Sequence, residues 1–419
     1  PTTPKAPTGA EELEVTIERL LPGGVGFARA GERTLLVGLA APGDRLRVRI
    51  ERVRGRVAFA SIVEVLAPSP VRVEPPCPYF GRCGGCDFQQ LNYEAQLAAK
   101  VEIIRDCLRR IARIEPPAEI PITPSPAVWQ YRSRAQWQFE RGGRRLGYFE
   151  RGTHNVCDVA VCPVVIPALQ ETLERVRAEL KEHPRDARTG EFEAVAGDSG
   201  VMLWPPLDEE TDDALAREQT RSIGGETYRF GPDCFFQINH TLLEPLITEA
   251  TRDAEGERAL DLYCGVGLFT LPLARRFRHV VGVEGNPSAT RYARRNLSDA
   301  GLTHAEIETS AVGDWLTRRT ESLPPIDFIL LDPPRAGAER ETIDAINALA
   351  PRHISYVSCD PATLARDLHL LFERGYRLTS LRAFDLFPQT HHVETVAHLN
   401  LSLSDTKVDL QIHQRARRL

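Results

Sequence analysis

Lysine is nearly missing from this chain. Among 52 basic residues only Lys5, Lys100, Lys181 and Lys407 are lysine. That leaves few candidates for a catalytic amine and none for a P-loop, which disfavours a triphosphate ligand. The remaining basic residues are arginine, a bias that reads as genome composition. A global positive charge is missing too. The net charge is -6, so any nucleic-acid contact has to come from local patches. No run approaches the roughly 18 apolar residues of a membrane helix. The opening Pro1-Thr2-Thr3-Pro4-Lys5 lacks the apolar core of a signal peptide. The expectation is a cytoplasmic protein with no membrane partner. The nine cysteines are an odd number without a secretion signal, which argues against disulfides and for metal-binding or catalytic thiols.

What is present is an ordinary globular composition, 42% hydrophobic and 26% charged. At 419 residues it is long enough for two or three domains. Residues 1–10 are Pro/Thr/Ala-rich and read as a disordered tail. Residues 11–70 read as short strands separated by Gly24, Gly26, Gly38 and Pro42-Gly43-Asp44, the pattern of a small OB-like β-barrel. In this stretch Arg45, Arg47 and Arg49 alternate with Leu46, Val48 and Ile50. Period two puts the guanidinium groups on one face. Arg52, Arg54 and Arg56 continue the stripe after a register change near Glu51. Two readings stand: a solvated strand face, or a surface that tracks phosphates.

Pro75-Pro76 closes that unit and opens a central α+β region, 71–235. Leu97, Val101, Ile104, Leu108 and Ile111 have helical spacing over Tyr93 to Ile114, with Cys107 beside the stripe as a core residue. Residues 128–165 read as β-rich, with a hairpin signal at Gly142-Gly143. There Arg132, Arg134, Arg144, Arg145 and Arg151 are interleaved with Tyr131, Trp137 and Phe139. That pattern fits strands that grip and stack nucleic acid, or a mixed sheet with one polar face. Residues 166–220 read as a helix followed by Gly-punctuated strands.

From 236 to 419 strands and helices alternate. Strand candidates lie at Leu260, Val280 to Val283, Phe328 to Leu331 and Ile354 to Val357. Helix candidates are Leu271 to Phe277, Ser288 to Asp299, Arg340 to Leu349 and Thr363 to Arg374. The alternation predicts a Rossmann-like, doubly wound α/β sheet. Its first turn, Asp261-Leu262-Tyr263-Cys264-Gly265-Val266-Gly267, lets backbone approach a ligand but lacks the third glycine of a dinucleotide fingerprint. Glu284 ends the next strand, where a carboxylate can bind two ribose hydroxyls. Asp261 is placed to face a cationic methionine group. Cys359 follows an apolar run and precedes Asp360-Pro361, the place where such a sheet presents reactive groups. A thiolate there is a strong nucleophile.

The cofactor turn, Glu284 and Asp314 resemble class I S-adenosylmethionine-dependent methyltransferases. Leu331-Asp332-Pro333-Pro334-Arg335 also occurs in amino-group methyltransferases and does not by itself settle the target atom. The ordered set does: Phe235-Phe236-Gln237-Ile238-Asn239, Asp261 to Gly265, Asp332 to Arg335, Ser358-Cys359-Asp360-Pro361, and Pro388-Gln389-Thr390-His391-His392-Val393-Glu394. Together these resemble the RNA uracil-5-methyltransferase family over most of the chain, with a TRAM-like barrel at the N-terminus. The resemblance implies Cys359 as nucleophile toward carbon 6 of uracil and Glu394 as the base that removes the proton from carbon 5. It implies S-adenosylmethionine contacts at Gln237, Tyr263, Glu284, Asp314 and Asp332. Leu268 departs from the Asn frequent in relatives and is not counted.

Cys77, Cys83, Cys86 and the distant Cys162 match the iron-sulfur branch of the same family. Four thiolates suit a four-iron cluster or, less well, zinc. Cys157 competes as fourth ligand, but Cys162-Pro163 fits the family pattern better. The expected partner is a structured RNA, ribosomal before transfer RNA, acted on by a monomer. The competing readings are a cytosine-5 RNA methyltransferase and a non-catalytic RNA-binding protein that keeps the methyltransferase fold.

Overall fold

A computed structural model describes residues 11–140, 145–183, 189–207 and 218–402. The expected tail 1–10 and the Gly142-Gly143 turn lie outside them. The chain divides into two compact units. One holds 1–107, 124–194 and 385–393; the other holds 108–123, 195–384 and 394–419. Both are therefore discontinuous in sequence.

In the first unit six strands form one sheet in the order Glu12–Thr16, Arg45–Arg54, Val57–Ala67, Arg33–Val37, Val25–Ala30 and Arg19–Leu21. Alternation drives it. Leu46, Val48 and Ile50 are buried while Arg45 and Arg49 are exposed, and the inner side chains pack on Val15, Ile17, Leu35 and Val37. The pairing slips between Ile50 and Arg52, as the pattern around Glu51 implies. Two arginines of the stripe are ion-paired within their own sheet. Arg47 lies 2.5 Å from Glu64, and Arg49 lies 2.9 Å from Glu12. Arg52 lies over the Phe59 ring.

The helix runs Tyr93–Cys107 and buries Gln96, Lys100, Ile103, Ile104 and Cys107. The expected stripe is thus rotated. Leu97 and Val101 are only half-buried and Ile111 is exposed, because the buried face carries polar groups that find partners. The chain then makes a π-helical turn over Leu108–Ala112, which belongs to the second unit and packs on helix Pro361–Phe372.

Strands Arg134–Glu140 and Leu146–Phe149 pair antiparallel. Here the nucleic-acid reading of the aromatics fails. Tyr131, Trp137 and Phe139 are all at most 3% exposed; they form core, and Arg134 is ion-paired to Glu193. Stacking on a base needs an open ring face, and these rings have none.

The second unit is built on an eight-stranded sheet. Its order is Ala305–Thr309, His279–Glu284, Arg258–Leu262, Phe328–Leu331, His353–Ser358, Glu394–Leu401, Tyr376–Phe384 and Ile122–Thr123. The first five strands are parallel. Glu394–Leu401 runs antiparallel to both neighbours. Helices Pro287–Asp299, Arg340–Leu349 and Pro361–Phe372 fall within two residues of the periodicity reading. Phe328 to Leu331 are fully buried, as expected of a parallel strand covered on both faces. One consequence positions the site. The parallel strands end at one edge of the sheet, and the antiparallel strand begins there.

Candidate functional site

Gly265 and Gly267 have φ of 53° and 90°, the left-handed region that glycine tolerates. Tyr263 joins them at φ 63°. Nothing lies within 4 Å of a Cβ built on Gly265, so the turn has open space above it. The Gly265 N–H donates to Glu284 Oε2 at 3.1 Å and the Asn286 N–H to Oε1 at 2.7 Å. The strand-end carboxylate is therefore aimed at the glycine turn. Tyr263 donates its hydroxyl to Glu339 at 2.5 Å. Asp314 stands exposed in the first turn of Val312–Arg319. Gln237 is buried, and its segment is tied to the Glu284 region through the Asn286 side chain, which donates to the Asp233 carbonyl.

Asp261 is fully buried. It accepts a 2.5 Å bond from Thr270, yet burial, with Asp332 and Glu284 nearby, pushes its carboxyl up to about 8. Burial raises Asp332 to about 7. Glu394 is also raised, first by burial and then by Asp332, with Arg335 acting in the opposite sense. Of the buried acceptor atoms without a partner among the described residues, three belong to this site: Gln237 Oε1, Asp261 Oδ1 and Glu394 Oε1. Orphaned buried acceptors are rare in proteins and call for an explanation such as a ligand. A cationic sulfonium group with amino and hydroxyl donors is the kind of ligand these carboxylates and this amide suit.

Cys359 follows the last residue of His353–Ser358. Ser358 pairs with Thr395, so continuing the register by one step sets Cys359 opposite Glu394. The thiol is partly buried and is pushed up to about 12 by burial, then by Glu394 and Asp332; Arg335 pulls it down. A thiol, two carboxyls and a guanidinium thus act on one another at the sheet edge. Asp360 caps the following helix, accepting from the N–H groups of Ala362 and Thr363, which fixes the turn after Cys359. Arg335 is the functional candidate that sequence reading passed over. Its place one residue beyond Asp332-Pro333-Pro334 was the available signal.

In the first unit Cys77, Cys83, Cys86 and Cys162 line one small cavity of about 30 Å³, together with Arg132 and Tyr148. Cys157 does not line it; its sulfur accepts a 3.3 Å bond from Arg82 Nε. Gly84 admits the close approach of its loop to the carbonyl of Phe149, which a Cβ would meet at 3.1 Å. The Gly85 N–H donates to Cys83 Sγ at 3.4 Å. Burial raises Cys83 to about 11 and Cys86 to about 12. Among the described residues no group of three or more His, Cys, Asp or Glu side chains is arranged to hold a metal ion.

An open sheet with a glycine turn after its first strand, and carboxylates at successive strand ends, defines a class I methyltransferase fold. The comparisons with known proteins agree. Residues 213–401 match the model described as tRNA (Uracil-5-)-methyltransferase, and residues 13–71 match the TRAM domain of tRNA (uracil(54)-C(5))-methyltransferase. The 23S rRNA (uracil(1939)-C(5))-methyltransferase RlmD of Thiobacillus denitrificans is 34% identical, over 89% of this chain and 96% of the relative. RlmD of Pectobacterium atrosepticum is 34% identical over 97% and 96%. The crystal structure of Pyrococcus abyssi tRNA (uracil-54, C5)-methyltransferase in complex with S-adenosyl-L-homocysteine superposes with a TM-score of 0.70 at 28% identity, covering 92% of this chain and all of that one. The chain belongs to the RNA uracil-5-methyltransferase family of S-adenosylmethionine-dependent enzymes. No helix among the described residues is long and apolar enough to cross a membrane.

Proposed function

We propose that this protein methylates carbon 5 of one uridine in a structured RNA through a covalent adduct on Cys359. The observation that carries the reading is that Cys359 and Glu394 lie one step beyond the last ladder pair, Ser358 with Thr395, and that Glu394, Asp332 and Arg335 all act on the thiol. Carbon 5 of uracil is a poor nucleophile. Addition of the Cys359 thiolate to carbon 6 turns the ring into an enolate, which makes carbon 5 nucleophilic. S-adenosylmethionine, when bound, supplies an electrophilic methyl group. Gln237, Tyr263, Glu284, Asp314 and Asp332 are the residues assigned to hold it. Glu394 then takes the proton from carbon 5, the double bond re-forms, and the carbon 6–sulfur bond breaks to release Cys359. Arg335 counters the carboxylates around the thiol and so favours the thiolate. The target base has to leave its stack to reach this edge.

Ribosomal RNA is the favoured substrate, because the RlmD relatives that align over nearly their full length are named for 23S rRNA. Transfer RNA is the second choice, supported by the Pyrococcus neighbour. The cavity of Cys77, Cys83, Cys86 and Cys162 is assigned to a four-iron iron-sulfur cluster, with zinc as the alternative. What supports the assignment is the chemistry of the donor set, four thiols lining one cavity with a backbone N–H donated to one of the sulfurs, although their side chains are not arranged around a single ion here. The methyl transfer has no redox step, so this group is structural or positions RNA.

RNA carrying 5-fluorouridine tests the chemistry, since fluorine at carbon 5 blocks the last step. The wild type is expected to give a denaturation-stable protein–RNA adduct that Cys359→Ala does not. Equal behaviour of the two would reject the mechanism. Mapping 5-methyluridine in RNA from cells lacking the protein identifies the substrate.

A further inference from the structure

The loop after Phe328–Leu331 carries Arg335, and every anchor of that loop lies in the catalytic unit. Leu331 is the register partner of Tyr356. The loop and Cys359 therefore leave the sheet at the same edge, from adjacent parallel strands. The Asp332 N–H donates to the Leu262 carbonyl at 3.2 Å, which fixes the start of the loop. The Gly337 N–H donates to the Pro334 carbonyl at 2.8 Å. This closes a four-residue turn with Arg335 at its second position. Ala338 is then held on both sides of its backbone. Its N–H donates to Asp367 Oδ2 at 2.9 Å, and its carbonyl accepts from the Arg366 guanidinium at 3.0 Å. Pro334, Arg335 and Ala336 are exposed, and exposed loops move unless they are tied down. Among the described residues the Arg335 side chain makes no hydrogen bond or ion pair of its own, so the backbone of the turn is what aims it.

Asp367 is the hub of these ties. It lies on helix Pro361–Phe372 and is fully buried. Besides the Ala338 N–H, its Oδ2 accepts the Tyr356 hydroxyl at 2.6 Å. Its Oδ1 accepts from Arg366 Nε at 2.8 Å. One carboxylate thus joins the strand that leads into Cys359, the helix that follows it, and the loop of Arg335. A buried carboxylate costs desolvation, and an apolar side chain would have filled the space at less cost. What the carboxylate adds is a fixed position for the turn. Gly337 shows how close the turn lies to the Asp367–Arg366 pair. Its φ is 76°, and a Cβ there would meet Arg366 Nη2 at 2.5 Å and Asp367 Oδ2 at 2.7 Å.

We propose that Asp367 is a positioning residue for the nucleophile: through Ala338 it fixes the turn that presents Arg335 at the sheet edge, and addition of the Cys359 sulfur to the base depends on Asp367 by way of Arg335. This role rests on the reading of Cys359 as nucleophile. Glu394, Asp332 and Asp360 all oppose a negative charge on the thiol, and Arg335 favours it. A turn that drifts would leave the sulfur facing carboxylates without their counter-charge.

Two rates test this role, each measured on the full chain. Iodoacetamide alkylation at about pH 8, followed on the Cys359 peptide by mass spectrometry, reads the thiolate fraction. Adduct formation with 5-fluorouridine RNA and S-adenosylmethionine in a single turnover reads the addition itself. Asp367→Ala should slow both on the order of tenfold. Arg366→Ala and Tyr356→Phe, which each remove one tie and keep the carboxylate, should slow them about threefold. Arg335→Ala should match Asp367→Ala, and the variant carrying both substitutions should be no slower than Arg335→Ala alone. A merely structural role would instead add to the loss from Arg335→Ala. Removing the negative charge of Asp367 would by itself favour the thiolate, so the expected sign is opposite to that of a direct charge effect. Unchanged or faster rates in Asp367→Ala, unchanged rates in Arg335→Ala, or additive losses in the double variant overturn the role. If the wild type forms no 5-fluorouridine adduct, the nucleophile reading falls and this role with it. If the wild type forms the adduct and the variants match it, only the role of Asp367 is rejected. Should Asp367→Ala fail to fold, Arg366→Ala, whose side chain is half-exposed, decides by the same cycle with Arg335→Ala.

Discussion

Burial pushes the Cys359 thiol and the thiols of Cys77, Cys83 and Cys86 in the same direction, yet the two places differ in what surrounds them. Cys359 sits at the end of a parallel strand with Glu394, Asp332 and Arg335 acting on it. Cys77, Cys83, Cys86 and Cys162 line a cavity, and besides burial the first three feel backbone N–H groups or the Gln89 side chain and neighbouring thiols, Cys157 and Cys162 among them. A thiol facing carboxyls and a cation is arranged to give and take a proton within a reaction. Thiols facing each other need a shared positive centre to ionise together. The contrast between carboxylate neighbours and thiol neighbours matches the different roles proposed for Cys359 and for the other four cysteines.

The largest effect expected from breaking this contrast falls on Cys359. Cys359→Ala should lower methyl transfer to RNA by on the order of a thousandfold or more, while iron and sulfide content stay at the wild-type level. Loss of the metal together with activity would merge the two groups.

The reverse experiment comes next. Cys86→Ser and Cys162→Ser should each lose bound iron and sulfide and lower Tm by roughly 5 °C or more. Cys157→Ala, with its sulfur turned to Arg82, should keep them. Stoichiometric zinc without visible absorption in the wild type would replace the cluster reading with the zinc one.

A third prediction concerns Asp261, whose folded carboxyl is pushed to about 8 from an ordinary 3.8. Between those values the folded protein binds the proton more tightly than the unfolded chain does. Stability without cofactor should therefore fall as pH rises from about 4 through 8. Asp261→Asn should flatten that slope and raise Tm at neutral pH by a few °C, with weaker binding of S-adenosylmethionine measured by calorimetry. A wild-type Tm that climbs steadily from pH 5 to 8 and is unaffected by the substitution would contradict it.

The smallest effect belongs to the barrel. Arg47→Ala removes an exposed ion pair with Glu64 and should shift stability by no more than about 1 kcal/mol, read as a change in Tm of a few °C at most.

Much of the catalytic unit was legible in the sequence. Phe328 to Leu331 and His353 to Ser358 read as buried runs because a parallel strand covered on both faces has to be apolar throughout. Arg45 to Ile50 read as a strand with one charged face because the side-chain period is two. The helix at Tyr93–Cys107 was visible but its inward face was not. Periodicity favoured Leu97 and Val101, whereas Gln96 and Lys100 are the residues buried. A hydrophobic pattern cannot foresee that a distant Asp385 and Gln389 will supply partners for buried polar groups. Tyr131, Trp137 and Phe139 gave the opposite error: sequence could offer them as stacking surfaces, and packing made them core.

The sequence by itself determined the type and order of most elements of the catalytic unit and the family to which the chain belongs. These follow from local periods, turn residues and motif order, which need no knowledge of distant contacts. Only the tertiary structure decided that Glu394 stands across from Cys359 and that Arg335 acts on both. Each of these joins residues tens of positions apart, and such pairs are set by strand register and by packing around buried polar groups.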